Sequence, residues 1–470
     1  MQSLNNTQVS FPSVPTCIHH EFVYQVMKHP QKLAVELDEQ SLTYCELLHY
    51  VQVLSLTLLN DYHVLPGEIV CQCVERSLSM VIRIMAILMV GGVYCPLSPH
   101  DPQDRLQALV EQTKSHLVLV HHLTKTKFGS NFILVDISSV LCSSNDVDRE
   151  NDISRLKNIS ITPDHIAYII FTSGSTGAPK SIQIRHRNIS QDMESMVIIN
   201  AVNSNDIVAQ TVRCSFDVHL LEIIGTLILG GTLVMLRPDG ILDLEYFSSV
   251  IKEKQITCIQ AVPSLFRALF NFFMETSQSI HSLCLRSLCI SGEAFTPDLS
   301  KVLASYTTEK SLIWNIYGPA ETINSTFQRI YPTAKITMIP IGLPMPNYLC
   351  LILDAYMKSV IIHQEGELYL GGVGVFSAYL GRDDLTAKAL VEIDGQLFYR
   401  TGDLVRIGSE GLIYYIGRND YQVKLHGQRI ELGEIERCLL SITSISACVV
   451  MKWNDDYLVA YVQSSDTNEE

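Results

Sequence analysis

Residues 166–181 read IAYIIFTSGSTGAPKS. An apolar, β-branched run, composed like a buried strand, leads into a turn dominated by Gly, Ser and Thr and closed by Pro179 and Lys180. The turn suits an anion. Gly174 and Gly177 let backbone N–H groups approach closely. Thr172, Ser173, Ser175 and Thr176 add hydroxyl donors, and Lys180 adds a point charge. Together they fit a polyphosphate tail, although the GxxxxGK[ST] spacing of a Walker loop is absent. A flexible Ser/Gly linker is the bland reading. It sits poorly between a strand and a Pro-Lys pair that runs into a second strand at 182–185.

Outward from this turn, short apolar runs alternate with amphipathic helical stretches. Residues 165–171, 256–262, 285–291 and 313–317 read as strands, each followed by Gly, Pro or Ser and usually by a helical pattern. The alternation predicts an α/β fold with largely parallel sheets flanked by helices, whose ligands sit outside the carboxyl ends of the strands. The apolar stretch 80–97 carries Arg83, Gly91, Gly92 and Pro96, which predicts a buried helix turning into a strand and no membrane span. Residues 123–164 are polar and predict an exposed connection. After about 339 the texture changes to short, Gly-punctuated strands, as expected of a small β-barrel-like subdomain over 341–417. A helix at 433–440 followed by one or two strands then predicts a small α+β element within 418–470.

Composition narrows the function classes. The chain has 470 residues, 47% hydrophobic and 18% charged, enough for subdivided cores. A formal net charge of -15 and no basic stripe argue against a nucleic-acid partner. The N-terminus has no secretory pattern, and the 13 cysteines include no CxxC pair or zinc spacing. Reduced thiols in a cytoplasmic protein are expected, and the sequons at Asn158 and Asn188 are read as chance.

TSGSTGAPK is similar to the signature of the adenylate-forming superfamily, which includes acyl-CoA synthetases, luciferases and the adenylation domains of nonribosomal peptide synthetases. The resemblance covers nearly the whole chain. LTYCEL at 42–47, ILMVGGVYCPLSP at 87–99 and GELYLGGVGVFSAYLGR at 366–382 resemble the family's structural motifs. Resemblance implies roles for the rest. The turn Thr172, Ser173, Gly174, Ser175, Thr176, Gly177 and Lys180 holds the phosphates of ATP. SGEA brings Gly292, Glu293 and Ala294 near adenine, and NIYGPAET brings Asn315, Ile316, Tyr317, Gly318, Pro319, Ala320 and Glu321 to the nucleotide. Within that motif Tyr317 faces the purine and Glu321 holds Mg²⁺. Asp403 in YRTGDL accepts from the ribose hydroxyls, Tyr415 and Arg418 lie near the ribose, and Asp420 is the hinge of the C-terminal domain. Thr172, Ser173, Lys180, Glu321 and Asp403 form the implied catalytic set.

Phe216-Asp217 decides the substrate class. In peptide-synthetase domains an Asp at this position grips the α-ammonium of an amino acid, a strong charge-assisted pair when desolvated. By itself, a lone Asp in an apolar run is more often a cap or a satisfied core group. The implied pocket is Phe216, Asp217, Val218, Leu221, Gln260, Cys289, Ser291, Ile316, Asn324 and Ser325, with Gln260, Asn324 and Ser325 making it partly polar. A small or medium neutral amino acid is expected, delivered afterwards to the phosphopantetheine thiol of a carrier protein.

The sequence departs from the pattern in three places. Ser181 stands where the family has Gly, Ala320 where it has Thr, and nothing after Glu436 resembles the segment with the family's C-terminal catalytic Lys. Lys424 belongs to the hinge motif and Lys452 to a predicted strand, and neither is a persuasive substitute. Loss of such a cation typically costs about 10²–10³ in rate. Three readings therefore stand: amino-acid adenylation, acyl-CoA synthesis from an acid without an amine, and an ATP- and amino-acid-binding remnant.

Overall fold

Strands buried on both faces carry no alternation of polarity, and the runs Cys258–Ala261, Ser287–Ile290 and Leu312–Tyr317 accordingly lie side by side in parallel. They occupy the middle of a nine-stranded sheet in the computed structural model, which describes residues 5, 7–10, 16–136, 154–174, 179–276, 283–308, 311–331, 337–420, 422–425, 428–453 and 457–464. Ile207–Gln210, Thr232–Met235 and Leu33–Leu37 extend the sheet in parallel on one side. Thr326–Ile330 and Leu343–Pro344 turn antiparallel on the other.

A seven-stranded sheet repeats the logic. Ile69–Cys73, Val93–Pro96, Leu117–Val120, Ile133–Asp136 and Ile166–Thr172 are parallel to their neighbours. Lys180–Arg185 and Ala378–Tyr379 close it antiparallel. The apolar stretch after residue 80 forms the helix Leu78–Met89, capped by Ser77, and then the strand Val93–Pro96. The helix Tyr44–Asn60 starts at a capping box between Thr43 and Glu46. Within the polar connection, Ile133–Asp136 is an edge strand, and 137–153 lie outside the described residues.

One continuous apolar core joins both large sheets and the helices between them, with Leu54, Ile84, Tyr168, Met193, Leu233 and Ile316 among its members. A second core packs Phe247, Phe266, Phe270 and Leu299 against the other face of the nine-stranded sheet. Tyr348–Leu353, Glu365–Gly372, Leu390–Ile393, Gln396–Ile407 and Ile413–Arg418 form an antiparallel third sheet. Beyond it come the hairpin Gln422–Leu425 and Gln428–Glu431, the helix Leu432–Leu440 and the hairpin Ile445–Trp453 and Tyr457–Ser464. Among the described residues no helix is long and apolar enough to cross a membrane.

Polar anchors fix the sheet's loops. Asp206 is 2% exposed and accepts from Arg286 Nε, Thr257 Oγ1 and the Asn203 N–H, each at 2.8 Å. Arg286 also donates to the carbonyls of Asn200 and Ala201, so the pair ties three strands to the end of the helix His186–Ile198. Asp206→Ala strands the guanidinium, and a loss of about 3–5 kcal/mol is expected, read as a lowered urea midpoint.

Candidate functional site

Side chains leave a strand on alternate faces, and Leu312–Tyr317 uses both. Ile316 and Trp314 face the core between the large sheets. Tyr317 turns the other way and packs with Tyr415 against the third sheet's apolar cluster. Asn315, on the same side as Tyr317, spends its Nδ2 on the Pro340 carbonyl at 2.7 Å, so its side chain is a structural anchor. The chain then folds back sharply. Thr322 N–H donates to the Pro319 carbonyl and Ser325 N–H to the Tyr317 carbonyl, both at 2.8 Å. Ile323 is held at φ 59°, a costly conformation for a β-branched residue. A Cβ on Gly318 would stand 1.6 Å from the Ile323 carbonyl oxygen, so no other residue fits there.

This turn joins two polar groups. On one side Glu321, 0% exposed, accepts from Tyr379 Oη at 2.7 Å. Lys180 Nζ lies 5.7 Å from the centre of the same Tyr379 ring, because Ala378–Tyr379 pairs with the strand that Lys180 opens. Thr172 is the register partner of Lys180 across the hairpin, and its Oγ1 is buried without a partner among the described residues. Ser173 and Gly174 follow, while the predicted contacts Ser175, Thr176 and Gly177 lie outside the described residues. On the other side Tyr317 Oη donates to Asp403, whose second oxygen receives Arg418. Burial, then the Asp403 charge, raises the Tyr317 phenol well above its ordinary range. Arg418 also clasps Asp420 through two bonds of 2.7 Å. Lys180, Glu321 and Asp403 are thus linked through Tyr379 and Tyr317 around one turn. Asp403 already has one partner on each oxygen, so a ribose would share those acceptors.

The residues expected to line the substrate pocket come from the inner side of the nine-stranded sheet and the helical segment after Asp217. Gln260 and Cys289 are register partners, and Cys289 pairs in turn with Trp314. Leu221 and Ile316 belong with Cys289 to the same core, Phe216 and Val218 are partly buried, and Ser291 follows the strand Ser287–Ile290. Asp217 caps the short helix Val218–Leu220, its carboxylate accepting from Val218 N at 2.9 Å. Burial pushes Asp217 up to about 6. The Val218 N–H and the charge of Lys424 oppose that shift, and Glu321 reinforces it. Lys424, set aside by sequence, is therefore within electrostatic reach of the pocket.

Two expectations change in detail, those for Ser325 and Glu293. Ser325 contributes no free hydroxyl, since it is fully buried and bonded to Thr322 Oγ1 at 2.7 Å. Glu293 turns its carboxylate to Ser264, whose N–H and Oγ donate at 3.1 Å, capping the helix Pro263–Glu275 and leaving Gly292 and Ala294 to shape the turn. Ser181 Oγ accepts from Gln112 Nε2 at 2.8 Å, and the same Nε2 donates to the Pro179 carbonyl at 2.7 Å, so Ser181 helps brace the end of the turn. Ala320 packs against the apolar core. Sequence reasoning missed Tyr379, and also Asp192, which is 0% exposed and accepts from Asn324 Nδ2 at 2.9 Å and Tyr348 Oη at 2.7 Å. Burial pushes Asp192 up to about 7 against the pull of these partners. Asp192 shares the buried face of its helix with His186, Asn188, Ser190 and Ser195, so its sequence surroundings gave no signal.

Comparison with known proteins follows the same lines. A profile of the AMP-binding enzyme family matches residues 22–380. Tyrocidine synthase 3 of Brevibacillus parabrevis is 34% identical over 470 residues, covering 98% of this chain and 7% of that protein. The chain thus spans a small part of this relative. Zwittermicin A synthase ZmaJ of Bacillus cereus is 33% identical over 457 residues, covering 94% of this chain and 84% of that protein. Among solved structures, holo-PA1221, a nonribosomal peptide synthetase protein with adenylation and PCP domains bound to a vinylsulfonamide inhibitor, superposes with a TM-score of 0.82 at 25% identity over 96% of this chain and 77% of that one. NpsA-ThdA of Klebsiella oxytoca, an artificially fused adenylation-PCP di-domain, gives 0.83 at 23% over 97% and 90%.

The turn after Leu312–Tyr317 admits a direct test. Gly318→Ala forces the backbone at Ile323 to move, and a loss of at least the ~1–3 kcal/mol typical of overpacking is expected. The urea midpoint followed by circular dichroism measures it, and an unchanged midpoint would contradict the close approach.

Proposed function

Because this chain belongs to the AMP-binding enzyme family, as an adenylate-forming ligase of the nonribosomal-peptide-synthetase type, we propose that it activates an amino acid with ATP and passes the acyl group to a carrier protein. The amino acid's carboxylate oxygen attacks the α-phosphorus, the bond from that phosphorus to the bridging oxygen breaks, and pyrophosphate leaves. A phosphopantetheine thiol then attacks the acyl carbon and AMP departs. The observation that carries the reading is the linkage of Lys180, Glu321 and Asp403 around the Gly318 turn, with Asp217 in the field of Glu321.

Each group has its own task. Lys180 and the hydroxyls of Thr172 and Ser173 neutralise the phosphates as charge shifts onto pyrophosphate. Glu321 suits Mg²⁺, which prefers one or two carboxylates plus phosphate oxygens and water, and the ion supplies charge neutralisation when bound. Tyr379 holds the Glu321 carboxylate in place. Tyr317 and Asp403 meet the adenosine, and Asp420 anchors Arg418 where the third sheet ends. Asp217 receives the substrate ammonium. Acyl-CoA synthesis is the second reading, and Asp217 distinguishes it, since a simple acid would leave a partly buried carboxylate without a cation.

ATP–pyrophosphate exchange across the amino acids tests the proposal. Exchange stimulated by one amino acid, and lowered about 10²-fold or more by Asp217→Ala, is expected. Exchange with a simple acid that survives the substitution would replace this reading with the second one. The raised Asp217 pKa sets a pH dependence. The carboxylate needed by the ammonium exists above pH about 6 and is lost as pH falls through it. Amino-acid affinity should therefore hold at neutral pH and fall about tenfold per unit in the acid limb, and Asp217→Asn should flatten that limb.

A further inference from the structure

The side-chain end of the pocket holds more hydrogen-bonding capacity than the protein uses. Gln260 is 7% exposed, and its Nε2 is buried without a partner among the described residues. Trp314, two strands across the same register row, is 5% exposed with its indole Nε1–H equally unbonded. Tyr168 Oη, on the seven-stranded sheet and within the fields of Asp217 and Asp192, is a third. Buried donors without acceptors are rare in folded proteins; Tyr168 and Trp314 belong to one core, and Gln260 is the register partner of Cys289, a member of the same core. Asn324 supplies the opposite function. Asp192 is an acceptor when ionised, so it engages the Nδ2 end of Asn324 at 2.9 Å and, from behind, Tyr348 Oη at 2.7 Å. That bond fixes which way the amide points and turns Asn324 Oδ1 away from Asp192.

We propose that this end of the pocket recognises a primary carboxamide side chain, and that Asp192 is the positioning residue that fixes the direction of the Asn324 amide. The inference rests on the amino-acid reading given above. The substrate carbonyl oxygen accepts from Gln260 Nε2, and its amino group donates to Asn324 Oδ1. An aliphatic side chain leaves both groups unpaired. A carboxylate offers no donor to Asn324 and adds negative charge beside Asp192. An ammonium offers no acceptor to Gln260.

The test is equilibrium dialysis of the full chain at pH 8, with Mg²⁺, a nonhydrolysable ATP analogue and radiolabelled glutamine, asparagine, leucine, methionine, glutamate and lysine. Glutamine or asparagine should bind at least about tenfold tighter than leucine or methionine. Asp192→Leu should lower that ratio at least about fivefold, and Asp192→Asn, which keeps an acceptor for Asn324, should restore part of it. A merely structural role would weaken all amino acids alike and leave the ratio unmoved, which overturns the positioning assignment. Leucine or methionine binding as tightly as the carboxamides overturns the substrate class while the amino-acid reading stands. Binding of the analogue with no amino acid at all overturns both. Where Asp192→Leu fails to give a cooperative melt, the unsubstituted chain's preference and Asp192→Asn decide.

Discussion

The strand Leu312–Tyr317 and its return at Gly318 hold the site together. A single strand can serve two chemistries because neighbouring side chains leave it in opposite directions. Ile316 and Trp314 therefore face the core between the large sheets while Tyr317 meets Asp403, without any loop having to place them separately. The turn that follows is compressed until a missing Cβ is a requirement, with the Ile323 carbonyl occupying that space and Ile323 itself strained. Strain of this kind persists only where the surroundings over-determine it. Here the bonds from Thr322 to Pro319 and from Ser325 to Tyr317 do so, and the reward is a rigid spacing between Tyr317 and Glu321. The ring of Tyr379 carries that spacing across to Lys180.

What the sequence made legible was the part governed by short-range rules. The strand before the phosphate turn, the paired strand after it and the buried helix at Leu78–Met89 follow from periodicity and from Gly and Pro punctuation. The parallel order followed from alternation of strand and helix. The partners that complete the site were less legible, because they meet across long separations. Tyr379 reaches Glu321 over 58 residues and Tyr348 reaches Asp192 over 156. No spacing rule connects such positions, and each residue alone reads as ordinary core. Detail within motifs also escaped. Asn315, Glu293 and Ser325 sit inside recognised segments, yet their side chains are spent on Pro340, Ser264 and Thr322, since a motif fixes the backbone path and leaves local bonding to the neighbours.

Three carboxylates with raised pKa values, Glu222 and Asp192 buried and Asp217 partly buried, show how the same residue type acquires opposite meanings. Glu222 accepts from Thr211 N–H at 3.0 Å, Thr211 Oγ1 at 2.8 Å, Val212 N–H at 3.1 Å and Gln210 Nε2 at 3.1 Å, so its acceptor capacity is filled by the protein. Burial still pushes it up to about 7, but nothing remains for a ligand to do. Asp192 is filled in the same manner, and its influence passes outward through Asn324. Asp217 differs. It receives the N–H of Val218 at 2.9 Å from the helix it caps, and burial holds it near 6. A carboxylate desolvated without a full set of donors is costly on its own and becomes favourable when a cation arrives. Asp217 is also the least enclosed of the three, partly exposed where Glu222 and Asp192 are buried, so both its fewer protein donors and its access separate it from the structural acids. By the count of donors Asp217, alone of the three, keeps acceptor capacity beyond the Val218 N–H, which is what the proposed amino-acid reading requires.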